Sequence, residues 1–200
     1  MVRHIDLSWN TLEPSLGLMY EKLVQLHEID HTGFMNDQMF HLKPWVPEVA
    51  TTAQNLIARI HETTPELEVL FMGAAALGLP GKNDIDLDIL CEAKDITQNA
   101  EQLKAALGDP KSVTHAMAAW EFEKDGFEID CILSDPTTSH VPRQKRVFEL
   151  LKANHRLRAE YERIKRGSDG LPYAEYEQRK KSFFMKILNE NTSVPNGSDI

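Results

Sequence analysis

Three aspartates, Asp84, Asp86 and Asp88, alternate with aliphatic residues in the stretch DIDLDIL. Successive side chains of a β-strand point to opposite faces, so the three carboxylates would share one face and the aliphatic side chains would enter the core. Cα atoms two residues apart on a strand lie within about 7 Å, which lets neighbouring carboxylates converge on one ion. Oxygen ligands without nearby histidine or cysteine favour Mg²⁺ or Mn²⁺ over zinc. The stretch therefore predicts a divalent-cation site.

A hairpin further along the chain supplies another aspartate. The segment AAWEFEKDGFEIDCIL, residues 118–133, has Asp125-Gly126 between two alternating stretches, which is typical of a two-residue turn. That turn places Glu121 opposite Asp130 and puts carboxylates on one face of the hairpin. The other predicted pairs are Glu123 with Glu128 on the acidic face, and Trp120 with Cys131 and Phe122 with Ile129 on the apolar face.

Two interpretations of this acidic cluster are open. Beside a second strand that carries Asp130, the carboxylates would raise one another's pKa values unless a cation neutralised them. Two bound ions about 4 Å apart could hold the attacking and leaving oxygens of a phosphoryl transfer. Alternatively, the carboxylates form a solvated acidic edge, because charged residues commonly prevent aggregation between strands.

The residues before the aspartates favour a phosphate-binding site. LEVLFM, residues 67–72, predicts a short apolar strand, and Gly73 ends it. The small residues that follow, beginning with Ala74, could offer backbone amides to a phosphate chain. The ordered succession of strand, glycine turn, Asp-x-Asp strand, hairpin and distal aspartate is more specific than a glycine turn alone.

This succession resembles the polymerase-beta-like nucleotidyltransferase superfamily. Its members carry a strand, a Gly-Ser turn, Asp-x-Asp on the next strand and a third aspartate further on. Gly73-Ala74 matches the turn, NDIDLDIL matches the double aspartate, and Asp130 in FEIDCIL matches the third.

Within that superfamily the chain most resembles the GrpB-like proteins. They carry a turn and strand similar to GAAALGLPGKNDIDLDIL, followed by two C-terminal helical motifs. The first motif is similar to YERIK at residues 161–165, and the second to the Y-x-x-x-K-x-x-F of Tyr176, Lys180 and Phe183. The resemblance covers roughly residues 66–190.

The resemblance implies an α/β (α+β) fold with a nucleotidyltransferase-type mixed sheet and flanking helices. It also implies a metal-dependent transfer of a nucleoside monophosphate from a nucleoside triphosphate to an unknown hydroxyl acceptor. Asp86, with Asp84 or Asp88, would hold Mg²⁺ or Mn²⁺ on the triphosphate, and Asp130 would bridge to a second ion and help to activate the acceptor. The expected nucleotide-binding residues are Gly73, Ala74, Lys82, Lys165 and Lys180.

Two departures from the family pattern leave alternatives. Ala74 replaces the turn serine, which favours a catalytically inactive nucleotide-binding or regulatory protein of the same fold. The superfamily pattern selects Asp84 and Asp86 as the ligand pair, whereas the GrpB-like pattern selects Asp86 and Asp88. A divalent-ion-binding structural protein is a third possibility.

Hydrophobic periodicity predicts helices on either side of the acidic strands. We expect a helical N-terminal extension at residues 1–64 that packs on a core at 65–135. C-terminal helices at 136–190 belong to the same domain, and residues 191–200 form a disordered tail. The predicted helices cover residues 12–31, 46–60, 95–107, 143–166 and 173–188. The second has Pro47 in its first turn, and the fourth has a nearly continuous apolar stripe along its length.

Charge and hydropathy limit the partners. The 200 residues include 22 Lys and Arg against 31 Asp and Glu, a formal net charge of -9, so bulk nucleic-acid or anionic-membrane binding is not expected. No apolar run approaches the roughly 18 residues of a membrane span, and the first residues lack the apolar centre of a signal peptide, which predicts a cytoplasmic protein. The first third of the chain could also form a homodimer contact.

Overall fold

The computed structural model describes residues 38–137 and 141–191. Within these residues, five strands form one mixed sheet in the order β1-β2-β5-β4-β3. Strands β2 and β5 run parallel, and the other neighbouring pairs are antiparallel. The predicted mixed sheet is therefore confirmed. The strands are Glu68–Met72 (β1), Ile85–Leu90 (β2), Ser112–Val113 (β3), Met117–Lys124 (β4) and Phe127–Ser134 (β5).

Six α-helices accompany the sheet in the described part of the chain. They are Pro47–Thr63 (α1), Gly73–Ala76 (α2), Ile96–Leu107 (α3), Val141–Ala153 (α4), His155–Arg166 (α5) and Tyr173–Glu190 (α6), with a 3-10 turn at Ala93–Asp95 before α3. The predicted helix at 12–31 lies outside the described residues. None of the described helices combines the length and apolar composition that crossing a bilayer requires.

Alternation along β2 divides the sheet into an apolar face and an acidic face. Ile85, Leu87 and Ile89 are almost fully buried and pack with apolar side chains of α1 and α3 in one core cluster. Trp120 of β4 joins this core, and its indole nitrogen donates a hydrogen bond to the carbonyl of Gly108, 3.0 Å away. Burial of this face obliges the even-numbered residues of β2 to face the opposite side.

The hairpin of β4 and β5 confirms the register that its turn predicts. Glu121 lies opposite Asp130 and Trp120 opposite Cys131. Asp125 and Gly126 both have positive φ, 54° and 81°, which is the backbone conformation that a tight two-residue turn requires. The turn chemistry therefore places Asp130 on the acidic face.

The helix predicted at 143–166 is interrupted, and that prediction is wrong. Helix α4 ends at Ala153, and Asn154 has extended backbone angles, φ -119° and ψ 103°, before α5 begins at His155.

 The side-chain oxygen of Asn154 accepts hydrogen bonds from the amides of Arg156 and Leu157. This cap supplies a new helix start and so lets the chain change direction between α4 and α5.

The segment of residues 38–45 runs between the loop before β2 and the loop before α6. The Phe40 amide donates to the Leu171 carbonyl at 2.7 Å, and the Lys43 amide donates to the Gly81 carbonyl at 2.7 Å. The Phe40 ring is buried and stacks on the Tyr176 ring with 3.9 Å between centroids. This segment therefore connects the C-terminal helices to the loop that carries the acidic residues.

Candidate active site

Asp86 and Asp130 lie directly opposite each other on the parallel strands β2 and β5. Neighbouring strands are about 4.8 Å apart, so two side chains in register on one face can reach the same ion. Glu121 of β4 lies opposite Asp130 on its other side and extends the row of carboxylates. The sheet thus places the two aspartates that the sequence pattern singled out next to each other.

The turn after β1 lies against Asp86. Gly73 has φ +74°, and a Cβ added to it would overlap Oδ2 of Asp86. Met72, the residue before it, pairs with Asp86 across the antiparallel ladder of β1 and β2. Glycine is required at this position both by the backbone conformation and by the close approach of the carboxylate. Ala74, next in the turn, is buried.

The carboxylate of Asp86 has an unfavourable environment for its charge. Burial, followed by the nearby carboxylates of Asp84 and Asp130, raises the pKa of Asp86 to about 7, against the opposing effect of Lys180 and Lys82. A cation between these carboxylates would relieve the repulsion. The local electrostatics therefore favour binding of a positive charge.

Lys82 pairs with the first aspartate of the motif. Its Nζ lies 3.1 Å from Oδ2 of Asp84 and 3.6 Å from Oε2 of Glu128. The same Nζ lies 5.4 Å from the centroid of the Tyr173 ring. Burial lowers the pKa of Lys82, but Asp84, Tyr173 and Glu128 outweigh that effect and raise it above its ordinary value. Lys82 is therefore a charged partner of Asp84.

Lys165 of α5 is a buried cation among aromatic rings. Only 3% of the residue is exposed, and its Nζ lies 3.2 Å from the Tyr176 hydroxyl, to which it donates a hydrogen bond. The Nζ also lies 5.0 Å from the Tyr161 ring and 6.0 Å from the Phe40 ring. Burial lowers the pKa of Lys165 to about 8, although Asp84 and Asp86 act in the opposite direction. These rings give a positive charge a favourable surface where water is excluded.

The loop before β2 rests on this amine. A Cβ added to Gly81 would lie 3.1 Å from Nζ of Lys165 and 3.5 Å from Cβ of Ala74. Gly81 therefore lets the loop, the turn after β1 and Lys165 meet at one place.

Lys180 of α6 completes the set of lysines. Its Nζ donates to Oε1 of Glu177 at 2.9 Å and lies 5.7 Å from the Tyr176 ring. Burial lowers the pKa of Lys180, but Glu177 and the hydroxyls of Tyr161 and Tyr173 raise it more. Because Lys180 lowers the pKa of Asp86, its charge acts on the acidic strand.

Asp88 differs from the other aspartates of the motif. It is 6% exposed and lies opposite Leu70 of β1 and Ile132 of β5. Burial alone raises its pKa to about 6, whereas the pKa of Asp86 responds to Asp84. The electrostatic contacts of Asp86 therefore favour Asp84 over Asp88 as its partner, and the role of Asp88 as a metal ligand stays a prediction.

Most of the predicted site residues lie around one place, where the turn after β1, the loop before β2 and helices α5 and α6 approach the acidic face. Local patterns did not reveal Phe40 and Tyr173, because their contacts join distant parts of the chain. The pairing of Glu177 with Lys180 could have been predicted from the sequence, because side chains three residues apart on a helix are neighbours. The residues that the structure gathers here are Gly73, Ala74, Lys82, Asp84, Asp86, Asp130, Lys165 and Lys180.

Asp84, Asp86 and Asp130 offer carboxylate oxygens, which are the ligands that Mg²⁺ and Mn²⁺ prefer. Across residues 38–137 and 141–191, no three acidic, histidine or cysteine side chains are gathered closely enough to hold an ion as they stand. Asp84 is engaged by Lys82 at 3.1 Å. Coordination by all three aspartates would therefore bring the ion into competition with Lys82 for the Asp84 carboxylate.

Comparison with protein families gives one match that covers most of the chain. The family model described as "GrpB protein" matches residues 40–190. The match begins at Phe40, well before residue 66, where the resemblance in the sequence motifs begins. The segment that carries Phe40 and helix α1 is therefore part of the matched region. Among curated proteins, no sequence matches the chain.

Comparison with solved structures gives matches of low identity with TM-scores below 0.5. Cid1 poly(U) polymerase bound to MgGTP gives a TM-score of 0.47 at 16% identity, covering 76% of this chain and 47% of that chain. A structure of a cytoplasmic RNA terminal U-transferase gives a TM-score of 0.41 at 15% identity, covering 71% of this chain and 44% of that chain. The chain thus spans less than half the length of these structures.

Proposed function

The chain belongs to the GrpB protein family, and we propose that it is a metal-dependent nucleotidyltransferase. In this proposal it transfers a nucleoside monophosphate from a nucleoside triphosphate to a hydroxyl group of an acceptor. The observation that carries the proposal is the register of β2 and β5, which sets Asp86 directly opposite Asp130 beside the Gly73 turn.

Each side of the site has a distinct part in the proposed reaction. A divalent ion, when bound, would neutralise charge on the triphosphate and make its α-phosphorus a better electrophile. Asp86 and Asp84 supply oxygen ligands for Mg²⁺ or Mn²⁺, and Asp130 both extends the ligand set and orients the acceptor hydroxyl. The acceptor hydroxyl gives its proton to the Asp130 carboxylate, its oxygen forms a bond to the α-phosphorus, and the bond from that phosphorus to the bridging oxygen breaks.

The leaving pyrophosphate takes the electron pair of the broken bond and requires positive charge nearby. Lys165 and Lys180 approach the acidic face from α5 and α6, and Lys82 approaches from the loop before β2. The site therefore pairs carboxylates for cations with lysines for phosphates, which is the charge arrangement that phosphoryl transfer needs.

Pyrophosphate release provides the test. The purified protein would be incubated with each of the four nucleoside triphosphates, with Mg²⁺ or Mn²⁺ and with a mixture of hydroxyl acceptors such as RNA, protein and small alcohols. We expect metal-dependent release with at least one nucleotide, and a loss of at least 100-fold in Asp86→Asn, on the order of the effect of removing one group that stabilises a transition state.

Asp88→Asn is the matched control, because Asp88 lies two residues further along the same strand and face. The contacts of Asp86 predict that this variant keeps most of the activity. Undiminished turnover in Asp86→Asn would contradict the mechanism. Greater damage from Asp88→Asn than from Asp84→Asn would assign the second ligand to Asp88.

A second function is favoured by one residue. Ala74 is buried in the turn and has no hydroxyl with which to contact a phosphate. A protein that binds the metal–nucleotide complex without turning it over would keep the same lysines and aspartates. Thermal stabilisation by nucleotide and Mg²⁺, without pyrophosphate release under any acceptor condition, would support this regulatory role.

A further inference from the structure

The loop before β2 directs a lysine at a predicted metal ligand. Lys82 and Asp84 are two residues apart, and Asn83 between them has φ +63°. This left-handed residue turns the backbone, so Nζ of Lys82 reaches Oδ2 of Asp84 at 3.1 Å. The Asn83 side chain donates a hydrogen bond to the Pro44 carbonyl at 2.9 Å, which fixes the turn to the segment of residues 38–45. The ion pair is thus a product of an anchored loop conformation.

The pair is shielded from water to a degree that most surface pairs are not. The side chains of Lys82 and Asp84 are 27% and 19% exposed, whereas the Glu128 side chain, the second partner of Lys82, is 71% exposed. Lower exposure strengthens the attraction between opposite charges and makes their separation costly unless each finds a new partner.

A divalent ion and Lys82 compete for the same carboxylate. If an ion alone bound to Asp84, the lysine would lose its more buried partner and would remain as a positive charge beside another cation. An ion that arrives with a triphosphate brings negative oxygens, and these can accept the ammonium group that Asp84 releases. Replacement of Lys82 at Asp84 is therefore favourable when the ion arrives with a triphosphate, and unfavourable when the ion arrives alone.

We propose that Lys82 is a specificity-determining residue that makes the site select the metal–nucleotide complex over the free metal ion. The inference rests on the proposed function, since it assigns Asp84 to the metal. Lys82 occupies Asp84 in the free protein and moves to the phosphates when the complex binds.

Titration with Mn²⁺ tests the proposal, with the bound ion measured by electron paramagnetic resonance. Mn²⁺ would be added alone, and then together with a non-hydrolysable nucleoside triphosphate, to the wild type and to Lys82→Met. We expect Lys82→Met to bind Mn²⁺ alone about tenfold more tightly than the wild type, because a competing charge close to the ligand is removed. The same variant should bind the Mn²⁺–nucleotide complex no more tightly than the wild type, since it lacks a phosphate partner.

Lys145→Met is the matched control. Lys145 also lies 3.1 Å from a carboxylate, that of Glu68, but both side chains are about half exposed and Glu68 is not a predicted ligand. Lys145→Met and Lys82→Arg should bind Mn²⁺ alone as weakly as the wild type does. Thermal unfolding of each variant without ligand would establish that it is folded.

The outcomes separate this inference from the proposed function. If the wild type binds the complex but Lys82→Met binds Mn²⁺ alone no better than the wild type, the inference is wrong and the proposed function stands. If Lys145→Met gains as much affinity as Lys82→Met, the effect is one of net charge and the inference is likewise wrong. If no variant binds Mn²⁺ with or without nucleotide, both fail.

Discussion

Gly73 shows how a single residue determines where a carboxylate can lie. Its positive φ of +74° and the approach of Asp86 Oδ2 both exclude a side chain at this position. Gly78, five residues later, also has a positive φ, +68°, but a Cβ there would meet nothing within 4 Å. The two glycines therefore separate the cost of backbone strain from the cost of displacing Asp86.

We predict that Gly73→Ala and Gly78→Ala both lower the free energy of unfolding, each by roughly 1 kcal/mol through the strained backbone. Gly73→Ala should lower the free energy of unfolding more than Gly78→Ala does, because the Asp86 side chain must move as well. It should also weaken binding of the metal–nucleotide complex, whereas Gly78→Ala should leave that binding unchanged. Urea denaturation and calorimetric titration measure the two effects. Equal binding by both variants would contradict the contact between Gly73 and Asp86.

The raised pKa of Asp86 predicts how stability depends on pH. Its pKa rises from 3.8 to about 7, mainly because of burial and then because of Asp84 and Asp130. The folded protein therefore binds a proton more tightly than the unfolded chain does. The free energy of unfolding that this group contributes is highest below about pH 4 and is lost as the pH rises to about 7.

An asparagine at position 86 cannot ionise, so the Asp86→Asn variant should not lose stability as the pH rises. We expect the variant to be more stable than the wild type at pH 8 by roughly 1–3 kcal/mol, and the difference to shrink at pH 5. Urea denaturation at both pH values measures it. Asp109→Asn, which changes an exposed side chain, serves as the control. A difference between Asp86→Asn and the wild type that did not change with pH would contradict the proposed environment of Asp86.

At the scale of elements, the strands of the site could be predicted from two short sequence patterns, the alternation in DIDLDIL and the Asp125-Gly126 turn. Alternation in DIDLDIL follows directly from the two-residue repeat of a strand, and β2 has the predicted apolar face. Asp125-Gly126 fixes the register of β4 and β5, which brings Glu121 opposite Asp130. The parallel pairing of β2 with β5 places Asp86 beside Asp130. This pairing joins strands that are distant in sequence, so no local pattern predicts it.

The break between α4 and α5 illustrates why periodicity alone failed. Apolar residues recur at helical spacing across Asn154, so the pattern predicts one continuous helix. The side chain of Asn154 instead bonds to the amides of Arg156 and Leu157, and this local competition ends one helix and begins the next. Because α5 carries Lys165, its separate direction determines where that lysine meets the site.

At the scale of the whole molecule, the site depends on contacts between parts of the chain that are far apart in sequence. Phe40 stacks on Tyr176, and both rings lie near Nζ of Lys165. No repeat or motif within residues 38–45 could predict this arrangement, since its energy comes from long-range burial. The same contacts explain how lysines from α5 and α6 reach the acidic face of the sheet.

The location of a bound metal ion tests the central claim most directly. A crystal of the protein grown with Mn²⁺ and a non-hydrolysable nucleoside triphosphate would reveal the ion by its anomalous scattering. We predict a Mn²⁺ peak about 2.0–2.2 Å from carboxylate oxygens of both Asp86 and Asp130, the bond length typical of small divalent ions. A nucleotide bound with its ion away from these two aspartates would contradict the account.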